Sequence, residues 1–343
     1  MATHSGGLKM RWLTAAFLGL IVASAQATEL PLDAPIPDTV PPGTVLRVGG
    51  QHDLEFTLAG ERDKLPFKLE FANISAGPPT INAFHAKALD VGFSNDIPAI
   101  QAAWLGLDVR IVAVRLRKNP EAPAFQFGIA PKAGIASLSD LRGKKIAFSP
   151  GQAQGSVVLR TLKQYGIRRD EVELVELPSN GNSYLNALAA NLVDAAPLSQ
   201  IPIKRYAADY AKDGGKVLAP YGIKDNPLIL WVRTDTLRDP AKAAALKLYL
   251  AAWARSTRWI DTHPDQWVDT WYVKDQGISA EDGRFLETQL GHPDIPQDWT
   301  QVIRDEQETI DFMAEETGRK PFDATKLFDR RFETVAGAAF IKP

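Results

Sequence analysis

Five short stretches group small, hydroxyl-bearing and amide residues in ways that could hold a ligand: Gly50-Gln51-His52, Ser75-Ala76-Gly77-Pro78, Ser94-Asn95-Asp96, Ser149 to Ser156, and Pro197-Leu198-Ser199. Such loops leave backbone N–H groups uncovered beside neutral side-chain donors, which is the chemistry that cradles an anionic head group. They supply Gln51, His52, Ser75, Gly77, Ser94, Asn95, Asp96, Gln152, Gly155, Ser156 and Pro197 as candidate ligand contacts, with Trp231 as an aromatic wall. The same residue types are ordinary turn formers, and His52 suits a plain loop as well as a contact. It is the recurrence of such loops that points to a site. Arg115, Arg117 and Lys118 could neutralise an anion nearby or could form a solvated basic edge. A bulky side chain at Ser94 or Asn95 is expected to weaken binding without unfolding the protein.

Catalytic chemistry finds little support. The chain has no cysteine, which excludes disulfides, thiolate metal sites and cysteine nucleophiles together. Ser149-Pro150-Gly151-Gln152-Ala153-Gln154-Gly155-Ser156 lacks the Gly-Lys-Ser/Thr ending of a phosphate loop, and Gly49-Gly50 lacks dinucleotide-fingerprint spacing. Neither HExxH nor GxSxG occurs. His52, His85, His263 and His292 never fall at helical i, i+4 spacing. No catalytic residue, metal or cofactor is expected. A formal net charge of −2 gives no electrostatic support to a nucleic-acid partner.

Strands and helices alternate through the first two thirds of the chain. Thr44–Val48, Phe67–Phe71, Val91–Phe93 and Asp108–Leu116 read as strands from their alternating or β-branched patterns, with a helix over Ile81–Ala88. A second α/β unit follows, with strands at Phe125–Ala130, Lys145–Phe148, Val172–Leu177, Ala195–Ala196 and Leu228–Val232. Its helices are expected at Leu138–Leu141, Gln152–Tyr165 and Ser183–Asn191, the last burying Leu185, Leu188 and Leu192. This order predicts mostly parallel sheets, in which ligands bind beyond the strands' carboxyl ends. All the candidate loops fall at such ends.

From Asp239 onward the pattern is helical. Asp239-Pro240 is an N-cap followed by proline, and Leu246, Tyr249, Leu250, Trp253 and Ala254 make one apolar face. Further helices are expected at Pro264–Tyr272, Ala280–Leu290 and Trp299–Glu316, packing back on the first unit. The fold class is therefore α/β, with two lobes around a cleft, two crossings near 118–126 and 228–235, and a helical C-terminal tail. The division reads as lobe I over 44–120 plus 233–343 and lobe II over 121–232. Ahead of them lie a Pro-rich arm (28–43) and a cleavable signal peptide (1–27). Lys9 and Arg11, the apolar run Trp12–Ala25 and the Ala25-Gln26-Ala27 pattern carry that last assignment. Cleavage after Ala27, with no lipid-bearing cysteine, implies a periplasmic protein and no lipoprotein.

At these loops the sequence resembles the aliphatic-sulfonate, taurine and nitrate substrate-binding proteins of ABC importers, the SsuA/TauA-like group near the NMT1 and Thi5-like proteins. The similar segments are LRVGG (46–50), ISAGPPTINAF (74–84), ALDVGFSNDIPAIQAAWLGLDVRIVA (88–113) and SLSDLRGKKIAFSPGQAQGSVVLRTLKQYGI (137–167), with LAANLVDAA (188–196) weaker. The resemblance implies a type II periplasmic-binding-protein fold that closes on a small anionic or organosulfur solute. It also implies delivery to an ABC permease and ATPase complex, with the binding protein a monomer. Where sulfonate binders commonly carry an aromatic-rich segment, this chain reads Ala195-Ala196-Pro197-Leu198-Ser199-Gln200, so the second lobe's wall is reshaped. Two alternatives stand beside transport. One is an exported sensor domain. The other is an enzyme on the same fold acting on a sulfur compound or a pyrimidine, although the similar desulfinases need a cysteine that is missing here.

Overall fold

Val45–Gly49 (β1), Lys68–Ala72 (β2) and Val91–Asn95 (β3) are the alternating stretches of the first unit, and β1 pairs in parallel with both of the others. Between them run Asp53–Leu58 (α1) and Gly77–His85 (α2), and Ile97–Trp104 (α3) then leads into Val109–Lys118 (β4). The structure is a computed structural model that describes residues 1–2, 29–50, 53–74, 77–179 and 182–342. Gln51, His52, Ser75 and nearly all of the expected signal segment lie outside those residues.

The second unit holds Phe125–Ile129 (β5), Lys145–Phe148 (β6), Ala153–Gln164 (α4), Glu173–Glu176 (β7), Ser183–Ala189 (α5), Ala195–Ser199 (β8), Gln200–Tyr210 (α6) and Lys216–Leu218 (β9). Its sheet has the order β7-β6-β8-β5-β9, with β6, β7 and β8 parallel and β5 antiparallel to both β8 and β9. Helix α6 was not legible in the sequence because Pro202 interrupts its apolar pattern. Pro202 falls in the first turn, where its missing N–H has no intrahelical partner to lose.

Leu228–Arg233 (β10) corrects the expected division. The strand expected in the second unit lies instead in the first sheet, antiparallel between β3 and β4. Its run Leu-Ile-Leu-Trp-Val is buried on both faces, so its pattern reports a central strand without saying of which sheet. The second crossing is therefore the segment between β9 and β10, earlier than expected. The first joins β4 to β5.

Thr234–Arg238 (α7) and Pro240–Thr262 (α8) follow, and Asp239 caps α8 by accepting from the N–H groups of Ala241 (2.9 Å) and Lys242 (3.1 Å). The predicted stripe of α8 is fully buried against the first sheet, where each of its two leucines stabilises the fold by roughly 1.5–3 kcal/mol. The proline-rich arm lies over the same side: Leu30 donates to the Arg238 carbonyl (2.7 Å), and Arg331 donates to the carbonyls of Pro31 and Ala34.

Pro264–Trp267 (α9) runs into a π-helical turn over Val268–Asp275, then come Ala280–Leu290 (α10), His292–Asp294 (β11), Thr300–Thr317 (α11) and Val335–Ile341 (α12). β11 joins β4 and completes the first sheet, of order β11-β4-β10-β3-β1-β2. The tail does not pack on the first unit alone. Ile201 of α6 packs with Val268, Tyr272 and Leu286, and Lys163 of α4 pairs with Glu315 of α11. The tail bridges both sheets. Among the described residues, no helix is long and apolar enough to cross a membrane.

Candidate functional site

The carboxyl ends of β1, β2 and β3 face those of β6, β7 and β8, and the backbones touch where Gly77 meets Gly151. A Cβ on Gly77 would lie 2.8 Å from the Gly151 carbonyl oxygen and 3.1 Å from Cγ of Pro98. Gly151 has φ +77°, a left-handed conformation that L side chains rarely adopt. Glycine is needed on both sides for this approach. Gly155 is fixed differently, because any side chain there would run into the Ser149 carbonyl.

Ser94, Asn95 and Asp96 are held inward. Ser94 Oγ accepts the indole N–H of Trp231 (3.0 Å) and donates to the Asn95 carbonyl (2.7 Å). Asn95 Nδ2 donates to the carbonyl of Asn226 (3.2 Å), tying β3 to the second crossing. Asp96 Oδ1 accepts from the Ile97 N–H and from Asn226 Nδ2, each at 2.8 Å. Gln152 Oε1 accepts from Ser179 Oγ (2.7 Å), and Ser156 Oγ accepts from Arg160 Nε (3.2 Å).

Gly77, Asn95, Asp96, Gln152, Gly155 and Ser156 thus gather along the seam between the sheets. Trp231 and Pro197 do not. Trp231 is fully buried inside the first sheet's core, edge-on to Phe84 (ring centroids 4.7 Å apart), so it is no wall of the cleft. Pro197 lies within β8 opposite Phe127, because β8 runs on to Ser199 beyond its last register with β6 at Ala195.

Three residues that sequence reasoning missed complete the seam. Arg160 reaches from α4 to Thr309 Oγ1 of α11 (3.0 Å), and Glu306 lies one turn before Thr309 on the buried face of α11. Asn226 comes from the second crossing. Burial lifts the Asp96 carboxyl to about 6 against the pull of Asn226, the Ile97 N–H and Arg160. Burial and the neighbouring Asp96 likewise raise Glu306. The readable signal was a glutamate in the apolar register of Val302, Ile310 and Met313.

The crossings are clamped by Arg117. Its guanidinium donates to Asp225, to the carbonyls of Ala122 and Gln289 (both 2.7 Å) and, through Nε, to that of Leu290 (2.9 Å). Asp225 in turn accepts the Ala124 N–H (3.0 Å). A hollow of about 220 Å³ opens beside this clamp, lined by Gln126, Gln200, Lys204, Phe285 and Gln289 among others. It lies at the carboxyl end of β8. Next to it Tyr272, on the π-helical turn, donates to Glu287 Oε1 (2.6 Å). Burial, with Glu287 alongside, raises the Tyr272 phenol, and burial raises the Glu287 carboxyl despite the nearby Arg115. A larger hollow of about 640 Å³ sits at the amino end of β4, beside Trp104, Val109 and Phe322. That edge lacks the converging helix starts that hold ligands in parallel sheets, so it is not the candidate site.

Two α/β lobes joined by two crossings, with strand carboxyl ends facing across the seam, define a periplasmic-binding-protein fold. The chain belongs to the NMT1/THI5-like family, whose model matches residues 69–267. A protein of Escherichia coli K12 named for aliphatic-sulfonate binding is 30% identical over 106 residues, 31% of this chain and 32% of that protein. The match thus spans about a third of that relative's length. Among solved structures, the alkanesulfonate-binding protein SsuA from Xanthomonas axonopodis pv. citri, bound to MOPS, has 19% identity and a TM-score of 0.68, covering 89% of this chain and 99% of that one. The desulfurization enzyme DszB shares the fold at 15% identity and a TM-score of 0.60, covering 85% of this chain and 98% of its own.

Proposed function

We propose that this chain is the solute-binding component of an ABC importer, exported to the periplasm, where it closes its two lobes on a small anionic organosulfur compound of the aliphatic-sulfonate kind. The observation that carries the reading is the seam itself: loops from both sheets converge at strand carboxyl ends, and Arg117 clamps both crossings at one point. A ligand contacting both lobes stabilises the closed form by its differential affinity, and a membrane permease with its ATPase reads that closure. The family and the sulfonate-binding names of its relatives support the solute class. The chain works as a monomer, with its signal peptide cleaved after Ala27 and no lipid anchor. Its candidate contacts are Gln51, His52, Ser75, Gly77, Gln152 and Gly155.

The chemistry proposed is binding without turnover; the chain contains no cysteine, so a cysteine nucleophile is excluded. The test is a thermal-shift screen of residues 28–343 against alkyl and aryl sulfonates, sulfate, nitrate and pyrimidines, with mass spectrometry of the recovered ligand. A ligand at 100 times its Kd stabilises by about 2.7 kcal/mol, which at this size raises Tm by a few degrees. A shift confined to sulfonates, with the ligand recovered intact, is the expected result. Consumed ligand would turn the assignment to an enzyme, and a shift with another class alone would remove sulfonates.

A further inference from the structure

The hollow at the amino end of β4 lies on the opposite edge of the first sheet from the seam, because β3 and β4 both run antiparallel to β10 and so point the same way. Its volume of about 640 Å³ falls within the range of roughly 300–1,000 Å³ that holds a drug-sized molecule. Capture of a solute between the lobes makes no use of it.

Its walls are set by contacts within the protein itself. Trp104, the last residue of α3, donates its indole N–H to the Lys320 carbonyl (2.9 Å) and meets Phe322 edge-on, with ring centroids 5.9 Å apart. Gly318 ends α11 in a left-handed conformation (φ +66°) and releases the chain into the loop that carries both partners. Gln307 grips that loop on either side of Asp323: its Nε2 donates to the Phe322 carbonyl (3.1 Å) and its Oε1 accepts the Ala324 N–H (2.8 Å). Two half-buried aromatic rings are thus held in place beside the buried Val109 and Leu327.

The charges on this hollow are unbalanced. Arg110, Lys320 and Lys326 line it together with Asp108 and Asp323, and the Arg319 guanidinium lies 5.4 Å from the Trp104 ring centroid. Both acids are already engaged, Asp108 by Arg110 and the Thr234 hydroxyl (2.9 Å), Asp323 by the N–H and hydroxyl of Thr325 (2.9 and 2.7 Å). Lys320 and Lys326 are exposed and, among the described residues, neither ammonium has a hydrogen bond or an ion pair. The whole chain carries a formal charge of −2, so this local excess of cations runs against its balance. A cation would be repelled here, and a neutral ring would leave the lysines unused. We propose that the hollow is a second ligand site, separate from the cleft, for an organic anion with a flat apolar body. The body lies against Trp104 and Phe322, where aromatic packing adds to plain burial, and the acidic group meets Lys320 and Lys326.

Titration of the mature protein with 2-naphthoate, followed through the tryptophan indole N–H resonances in heteronuclear NMR, tests this. Trp104→Phe identifies the resonance of Trp104, which is expected to shift saturably. Lys320→Glu combined with Lys326→Glu should weaken naphthoate about tenfold or more, since two attractions become two repulsions. Both lysines are exposed, so this variant should keep its fold, which circular dichroism verifies. Neutral 2-naphthalenemethanol should bind at least about fivefold more weakly than naphthoate and ignore the lysine changes, and added salt should weaken the anion alone. A Trp104 resonance that stays fixed in millimolar naphthoate, or naphthoate shifts confined to other tryptophans, overturns the site. Equal affinity for the alcohol, or unchanged naphthoate affinity in the double variant, overturns the choice of an anion.

Discussion

Asp96, at the head of α3, and Glu306, on the buried face of α11, set two carboxyl groups against each other with no donor between them. Asp96 Oδ2 and Glu306 Oε1 are both sealed from solvent and without a hydrogen-bond partner. Facing them are Arg160 from α4 and Asn226 from the second crossing, with Asp305 and Glu308 on α11 and Lys224 bridging those two acids. A proton held by one carboxyl supplies the missing donor. The pair is a proton-sharing joint where lobe I, lobe II and the tail meet.

The pH dependence follows from the direction of both shifts. Both carboxyls are raised in the folded state, Asp96 from 3.8 to about 6, so the folded protein binds more protons than the unfolded chain across that interval. Stability from this pair is therefore fully present below about pH 4 and declines as pH rises through 6. Glu306→Gln keeps a donor permanently in place. Subtracting its Tm–pH curve from that of the wild type isolates the pair from surface carboxylates, whose shifts run the other way. The difference should favour the variant increasingly from pH 4 to 7, by roughly 1–3 kcal/mol at the upper end. Parallel curves would refute the shared proton.

Arg117 makes a separate prediction about the hinge. Replacing it with methionine leaves Asp225 and three carbonyls without their donor, all in a half-buried setting. A loss of roughly 2–4 kcal/mol in chemical denaturation is expected. Hydrogen exchange should accelerate first in the two crossings, 119–124 and 219–227. Arg117→Lys should recover less than half of the loss, since an ammonium cannot reach all four acceptors from one position. Exchange that speeds up uniformly, with no focus on the crossings, would deny the clamp.

How far the sequence was legible varies with the range of the interaction. Local signals held: the strand at Lys145–Phe148, the turn at Leu138–Leu141, the helix at Ala280–Leu290 and the Asp239-Pro240 start of α8 stand where periodicity and caps put them. Leu192 failed locally. Asn191 takes a positive φ that ends the helical register, and Leu192 is left 62% exposed. β10 failed at long range, because a two-sided apolar run does not say which sheet will surround it. The site loops were legible as loops but not by partner. Ser94 and Asn95 look free to meet a ligand, yet their hydrogen bonds go to Trp231 and the second crossing. A bulky residue there should therefore cost stability as well as binding. Glu306 could have been singled out only by asking why a charge stood in a buried register.

The contact between Gly77 and Gly151 gives the most direct check on closure. Gly77 has an ordinary backbone conformation, so valine there imposes no intrinsic strain and only adds bulk at the seam. That bulk meets a backbone oxygen at 2.8 Å, closer than real Cβ contacts allow, and crowds the Pro98 ring at 3.1 Å, and the carbonyl cannot rotate away as a side chain could. The lobes must separate or the helix start must shift. Gly77 is buried, so Gly77→Val should lower the unliganded Tm by the crowding against Pro98, a loss separate from any effect on closure. Its affinity for a solute found in the screen should fall about tenfold or more, because the crowding against Pro98 acts in both states while the clash with the Gly151 carbonyl penalises the closed state alone. The same penalty should shrink the ligand-induced thermal shift. A variant with wild-type affinity would mean that the ligand-bound form does not bring Gly77 against Gly151, and the seam drawn here would not be the binding cleft.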